Sequence, residues 1–266
     1  MKYILCVVGF VLFSGNTWSQ VPRYSDINNI GWLVLNFDVR LNDKFDIVSD
    51  HQIRRDEWGL KSQQYLHRAG LNCQVNKKVS LLTGYAFIQT FPYGNMNYPV
   101  SPSRVNFPEN RIFQQLTVKD QAGAVELTHR YRLEQRWVAS QIREYSHDIN
   151  EWKMSNRFRY MLRFQVPFRG VVTETKSWYF AGYNELFLSF GRNVGFNVFD
   201  QNRSALLIGY KAGKVFRLEA GPFAQILQLG ALRNVPGLAP DKTIVQYNLG
   251  YTVNVYFNFD AGKKAP

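Results

Sequence analysis

Glu126-Leu127-Thr128-His129-Arg130-Tyr131-Arg132-Leu133-Glu134-Gln135-Arg136-Trp137 carries a polar or charged side chain at every even position, with Leu127, Tyr131, Leu133 and Trp137 at odd ones. A period of two is a strand with two unlike faces. One face stacks arginines and glutamates in a short column, which is too costly for an apolar core but comfortable in a wet interior. The other face is apolar, and formally uncharged with His129 neutral. The combination predicts a barrel with polar groups inside and hydrocarbon outside.

The same logic recurs along the chain. Over 154–166, Phe158, Tyr160, Leu162, Phe164 and Val166 alternate with Arg157, Arg159, Arg163 and Gln165; near 215–229, Arg217 and Glu219 oppose Phe216, Leu218 and Ala220. The segment 244–259 sets Val245, Tyr247, Leu249, Tyr251, Val253, Val255, Phe257 and Phe259 on one parity. Further strands are expected over 32–41, 45–54, 60–75, 79–91, 111–118, 177–190 and 203–211. Short connections at 42–44, 76–78, 119–123 and 211–214 alternate with long ones at 92–110, 139–152, 191–202 and 230–243. Bacterial outer-membrane barrels have this rhythm and even strand numbers. The eleven visible segments therefore predict twelve strands, the missing one near residues 21–31 or from a split segment, with ten as the alternative. Pro92, Pro99, Pro102 and Pro108 make 92–110 a loop that caps the mouth or meets an external ligand.

The chain opens with Met1-Lys2, an apolar run from Ile4 to Phe13, and Thr17-Trp18-Ser19. This fits a secretory signal over 1–19 cleaved after Ser19, leaving one domain over 20–266. Cys6 lies too early to be a lipid-modified first residue, and Cys73 is then alone, so no internal disulfide is expected. No long apolar stretch follows the signal, and any membrane span must be built from strands. A net charge of +12 and a pI near 9.7 suggest anionic partners. Secretion argues against nucleic acid, and the expected location is the bacterial outer membrane. The 6 Trp, 15 Tyr and 20 Phe supply aromatic girdles at strand ends, with Trp137, Trp152, Trp178-Tyr179 and Tyr256-Phe257 as candidates.

Arg130 to Arg136, the triplet Tyr183-Asn184-Glu185 and the run Phe199-Asp200-Gln201-Asn202-Arg203 resemble an uncharacterised bacterial family, domain of unknown function 2490. The resemblance spans nearly all of the mature chain. It implies an outer-membrane-type barrel of a Gram-negative bacterium and brings no known reaction. The chain departs from the pattern in its proline-heavy loop and in a tail, Asp260 to Pro266, after the terminal aromatic strand.

The lumen-lining set expected from parity is Glu126, Arg130, Arg132, Glu134, Arg136, Arg157, Arg159, Arg163, Glu185, Arg217 and Glu219. Six arginines on two neighbouring strands meet only Glu126 and Glu134, a patch that could hold phosphates, carboxylates or sugar acids through paired guanidinium contacts. The other reading, favoured by a narrow lumen, is bracing, with Glu134 and Glu185 neutralising their neighbours. His51, His67, His129 and His147 show no metal-binding spacing and there is no Gly-x-Ser-x-Gly elbow, so no catalytic residue, metal or cofactor is expected. Two other classes stay open: a membrane-embedded lipid-modifying enzyme using His129, and a soluble lipocalin-like binder whose arginine rows face solvent. The partners expected are outer-membrane lipids and lipopolysaccharide, the barrel-assembly machinery, and a small anionic solute in a monomeric, porin-like barrel.

Overall fold

The computed structural model describes residues 23–94, 106–141, 147–168, 176–195, 197–229 and 243–262. The expected signal segment 1–19 and most of the proline-rich loop lie outside the described residues. Eleven strands form one closed barrel: β1 (Arg23–Arg40), β2 (Phe45–Asp56), β3 (Lys61–Gln74), β4 (Val79–Thr90), β5 (Phe107–Ala122), β6 (Val125–Gln141), β7 (Ile149–Pro167), β8 (Ser177–Phe190), β9 (Phe199–Ala212), β10 (Phe216–Gln228) and β11 (Thr243–Asp260). The only helical element among the described residues is a short 3-10 turn, Glu57–Gly59.

Each strand pairs antiparallel with the next, and the barrel closes where β1 meets β11 in parallel from Arg23↔Thr243 to Arg40↔Asp260. This seam corrects the expectation of twelve or ten strands. An all-antiparallel barrel closes only with an even number, whereas one parallel seam lets eleven close. The stretch expected to hide a twelfth strand is largely the first half of β1, where Asp26, Asn28 and Ile30 point inward. Because the closing strands run the same way, Arg23 lies at the end of the barrel that carries the longer connections and Asp260 lies at the other.

Other boundaries moved as well: β7 starts at Ile149 and β9 at Phe199, both inside stretches read as loop, and β5 is longer at both ends. Strand β5 begins at Phe107, inside the stretch read as loop, and includes Pro108. Pro108 is paired with Gln89 on β4, and the ladder to β6 starts one residue later at Glu109. A proline beside an unpaired edge loses no ladder bond. Lys119 to Ala122, read as a turn, continue β5, and the turn tightens to the residues around Gly123, whose φ of 63° suits glycine.

Alternation runs along the strands and is interrupted at bulges, as on β9, where the consecutive residues Asp200 and Gln201 are both buried. Inward positions are rich in buried polar groups such as Gln52, Arg54, Glu109, Arg111, Glu134, Arg157, Glu185 and Asn248, while Ile27, Leu81, Ile112, Leu206, Ile208 and Leu249 are exposed on the outer wall. The lipocalin-like arrangement, with arginines turned to solvent and apolar residues within, is therefore corrected. Its echoes are two small apolar clusters, one of Ile30, Trp32, Tyr179, Ala181, Ala205, Leu207 and Phe223 on β1, β8, β9 and β10, and one of Leu66, Ala86 and Ile88 on β3 and β4.

Candidate functional site

Strands β6 and β7 run side by side in the register Arg130↔Met161, Arg132↔Arg159 and Glu134↔Arg157. Their inward rows interlock because like charges set directly opposite each other need intervening carboxylates. Glu134, 1% exposed, supplies one. It accepts from Arg157 Nε and Nη2 at 2.9 and 2.6 Å and from Arg159 Nη1 at 2.5 Å. Arg159 turns its other edge to Glu185 Oε1, Nε at 3.0 Å and Nη2 at 2.7 Å, and Arg130 Nη2 donates to the same oxygen at 2.8 Å.

Partners from more distant strands complete the network. Arg157 Nη1 donates to Asp200 on β9 at 2.7 Å, and Arg136 and Arg111 both fork onto Glu109 of β5. Arg163 donates to Glu219 on β10 at 2.6 Å; the Tyr179 and Tyr256 hydroxyls donate to the two oxygens of that carboxylate at 2.7 and 3.1 Å. Arg217 Nε is 3.9 Å from Glu219, and Glu126 accepts from Gln165 at 3.1 Å. The predicted patch of six arginines against two glutamates is thus largely neutralised, which the reading of two isolated strands left out. Among those six, Arg132 has the thinnest support: two of its nitrogens donate to Gln115 Oε1, and buried Nη1 has no hydrogen-bond partner, with Glu134 4.0 Å away.

Sequence reasoning missed Arg54, Arg68, Glu109, Arg111, Asp200, Arg203, Tyr179 and Tyr256 as inward groups. Arg68 donates to Asp50 at 2.7 and 2.9 Å. The even-parity run Asp46, Asp50, Gln52, Arg54, Asp56 on β2 was a readable signal of an inward polar row. Tyr179 and Tyr256, placed in the girdles by their neighbours in sequence, have the opposite parity and serve as lumenal donors. Trp178 does face outward and packs on Tyr210, ring centroids 4.7 Å apart. His129 also faces the outer wall, with Nδ1 2.9 Å from the Tyr160 hydroxyl.

The space left inside is divided. A cavity of about 390 Å³ opens toward the end with the longer connections, and one of about 690 Å³ toward the other. Trp32, Arg68, Arg159 and Arg203 line both, and so form the layer between them. Guanidiniums stack on aromatic faces in this layer: Arg203 lies 4.8 Å from the Trp32 ring and 4.6 Å from Phe187, and Arg159 lies 4.4 Å from Phe187.

A sequence profile for proteins of unknown function, DUF2490, matches residues 29–236. The chain belongs to the DUF2490 family. The DUF2490 match takes in the inward rows of β6 and β7 and the motifs around Glu185 and Arg203, and it ends before β11, the strand that closes the barrel. No curated protein and no solved structure matches the chain.

Proposed function

We propose that this DUF2490 protein is inserted by its strands in the outer membrane of a Gram-negative bacterium, and that its lumen binds small anions rather than passing solutes freely. The observation that carries the reading is the inversion of the wall: a closed barrel with ion pairs inside and Leu, Ile, Phe and Tyr outside. An outer surface of this kind is unfavourable in water and favourable against acyl chains.

Two details support it. Outward polar side chains answer one another across strands, as Gln114 with Gln135, and Asn184 with Asn202 and Ser204, which is what a surface without water requires. Outward aromatics stand at both ends of the wall, Trp58 and Trp152 at one and Trp178 with Tyr210 at the other. The constriction between the two cavities favours binding over open passage. Nothing in this reading needs a catalytic group: the described partner of His129 is a tyrosine phenol.

Membrane fractionation combined with a heat-modifiability gel tests the insertion. The expected result is retention in the pellet after carbonate washing and a folded band that migrates differently from the boiled one. Release by carbonate without detergent would overturn the proposal.

A further inference from the structure

Among the described residues, the lumenal arginines are matched to carboxylates with two exceptions. Arg68, Arg111, Arg130, Arg132, Arg136, Arg157, Arg159, Arg163 and Arg217 each have an Asp or Glu oxygen within 4.0 Å. Arg54 and Arg203 have none from any described residue, although they are only 6% and 8% exposed. Arg54 spends its donors on neutral amide oxygens, Nε and Nη2 on Gln52 and Nη1 on Gln64. Arg203 uses Nε on Gln201 Oε1 at 3.1 Å, and no described residue accepts from its two terminal nitrogens.

These two guanidiniums share one platform. Arg54 lies 3.9 Å and Arg203 4.8 Å from the centroid of Trp32, whose indole N–H is tied to Gln63 Oε1 at 2.9 Å. Both line the 390 Å³ cavity at the end with the longer connections. Two like charges on one indole, out of bulk water and bonded only to amides and aromatic faces, are costly unless a counter-ion completes them. Glu185, opposite Arg203 across the β8–β9 ladder, accepts its hydrogen bonds from Arg130 and Arg159 instead.

We propose that Arg54 and Arg203, seated on Trp32, form a binding site for a small free oxyanion of two negative charges, inorganic phosphate or a short dicarboxylate. The terminal edge of Arg203 presents two N–H groups in the fork that matches two oxygens of such an anion. Arg54 supplies the second charge, with Trp32 fixing the planes of both. This inference rests on the lumenal reading above and names its site. Elsewhere in the lumen the same chemistry is already answered from within the protein, as Glu219 answers Arg163 and Asp50 answers Arg68.

The test uses the full chain, folded in detergent and checked by heat-modifiability, titrated with inorganic phosphate or with succinate. Binding is read by equilibrium dialysis and by the fluorescence of Trp32, assigned by its loss in Trp32→Phe. One or both probes should bind saturably with a dissociation constant of about 1 mM or tighter. Arg203→Gln and Arg54→Gln should each weaken binding by about tenfold or more, and Arg203→Lys, which keeps the charge but loses the fork, by less. Lys78→Gln, the same charge change in an exposed turn, should leave it unchanged.

Absence of saturable binding of both probes by the folded wild type overturns the proposal. So does an affinity unchanged in Arg203→Gln, or one that falls equally in Lys78→Gln, which would mark a diffuse effect of net charge. A protein that withstands carbonate and binds neither probe sinks this site and leaves membrane insertion standing. A soluble protein that binds phosphate through Arg203 does the reverse.

Discussion

Tyr179 lays its ring over Gly209 so closely that a Cβ at residue 209 would sit 2.1 Å from Tyr179 Cζ. The missing side chain on β9 lets a tyrosine from β8 lie flat across the inner wall, and its hydroxyl reaches Glu219 on β10 at 2.7 Å. One absent methyl group thus couples three strands. Gly209→Ala is expected to cost about 1–3 kcal/mol through overpacking, read as a lower denaturant midpoint of the detergent-folded protein. Tyr179→Ala removes the obstacle, so the double variant should lose less than the two single losses added together.

Glu134 lies between Arg157 and Arg159 and is nearly inaccessible. Glu134→Gln removes the charge that both guanidiniums share and leaves them side by side on β7 with no carboxylate between them. The expected loss is about 3–5 kcal/mol, as for a buried pair with one partner deleted. Glu126→Gln, at a position whose described partner is the neutral Gln165, should cost far less in the same denaturation series. Equal losses would mean that the network is not what holds the inner wall.

The outer wall makes a separate prediction about depth. Leu249, 53% exposed, lies near the middle of β11, and Phe259 near its end. On the membrane reading, Leu249→Arg should oppose insertion by about 2–4 kcal/mol and Phe259→Arg by about 1 kcal/mol or less, measured as the folded fraction in lipid vesicles at graded denaturant. A wall that faces water would accept both substitutions alike.

Much of this arrangement was legible because a strand writes its two faces into alternate residues. The shared parity of Arg130, Arg132, Arg157, Arg159, Arg217 and Glu219 could be read directly, and so could the row from Tyr247 to Phe259; which face is inner came only with the closed barrel. What parity cannot give is who answers whom. Arg130 on β6 meets Glu185 on β8, and Arg163 on β7 meets Glu219 on β10, because long side chains cross a narrow lumen past the strands between. The strand count failed for a related reason. It is decided by one pairing, β1 with β11, whose partners are about as far apart as this sequence allows. The start of β5 was hidden by Pro108, and the start of β1 by Ser25, Asp26, Asn28 and Asn29, small polar residues that read as loop although Asp26 and Asn28 face the inner wall.

The layer between the two cavities makes passage and bracing separable. Arg159 lines both cavities and is held by Glu134 and Glu185, whereas Arg132, one strand away, lines neither and leans on Gln115. If the layer is what limits passage, Arg159→Ala should join the two spaces and raise single-channel conductance in planar bilayers well above a low wild-type level. Arg132→Ala should leave conductance near wild type. Truncation also releases Glu185 from one of its two arginines, so the added current should be less anion-selective than the size of the opening alone would give. A large wild-type conductance, or equal increases in both variants, would show that ions take a route other than the gap beside Arg159, and the case for a constricted lumen would fail with it.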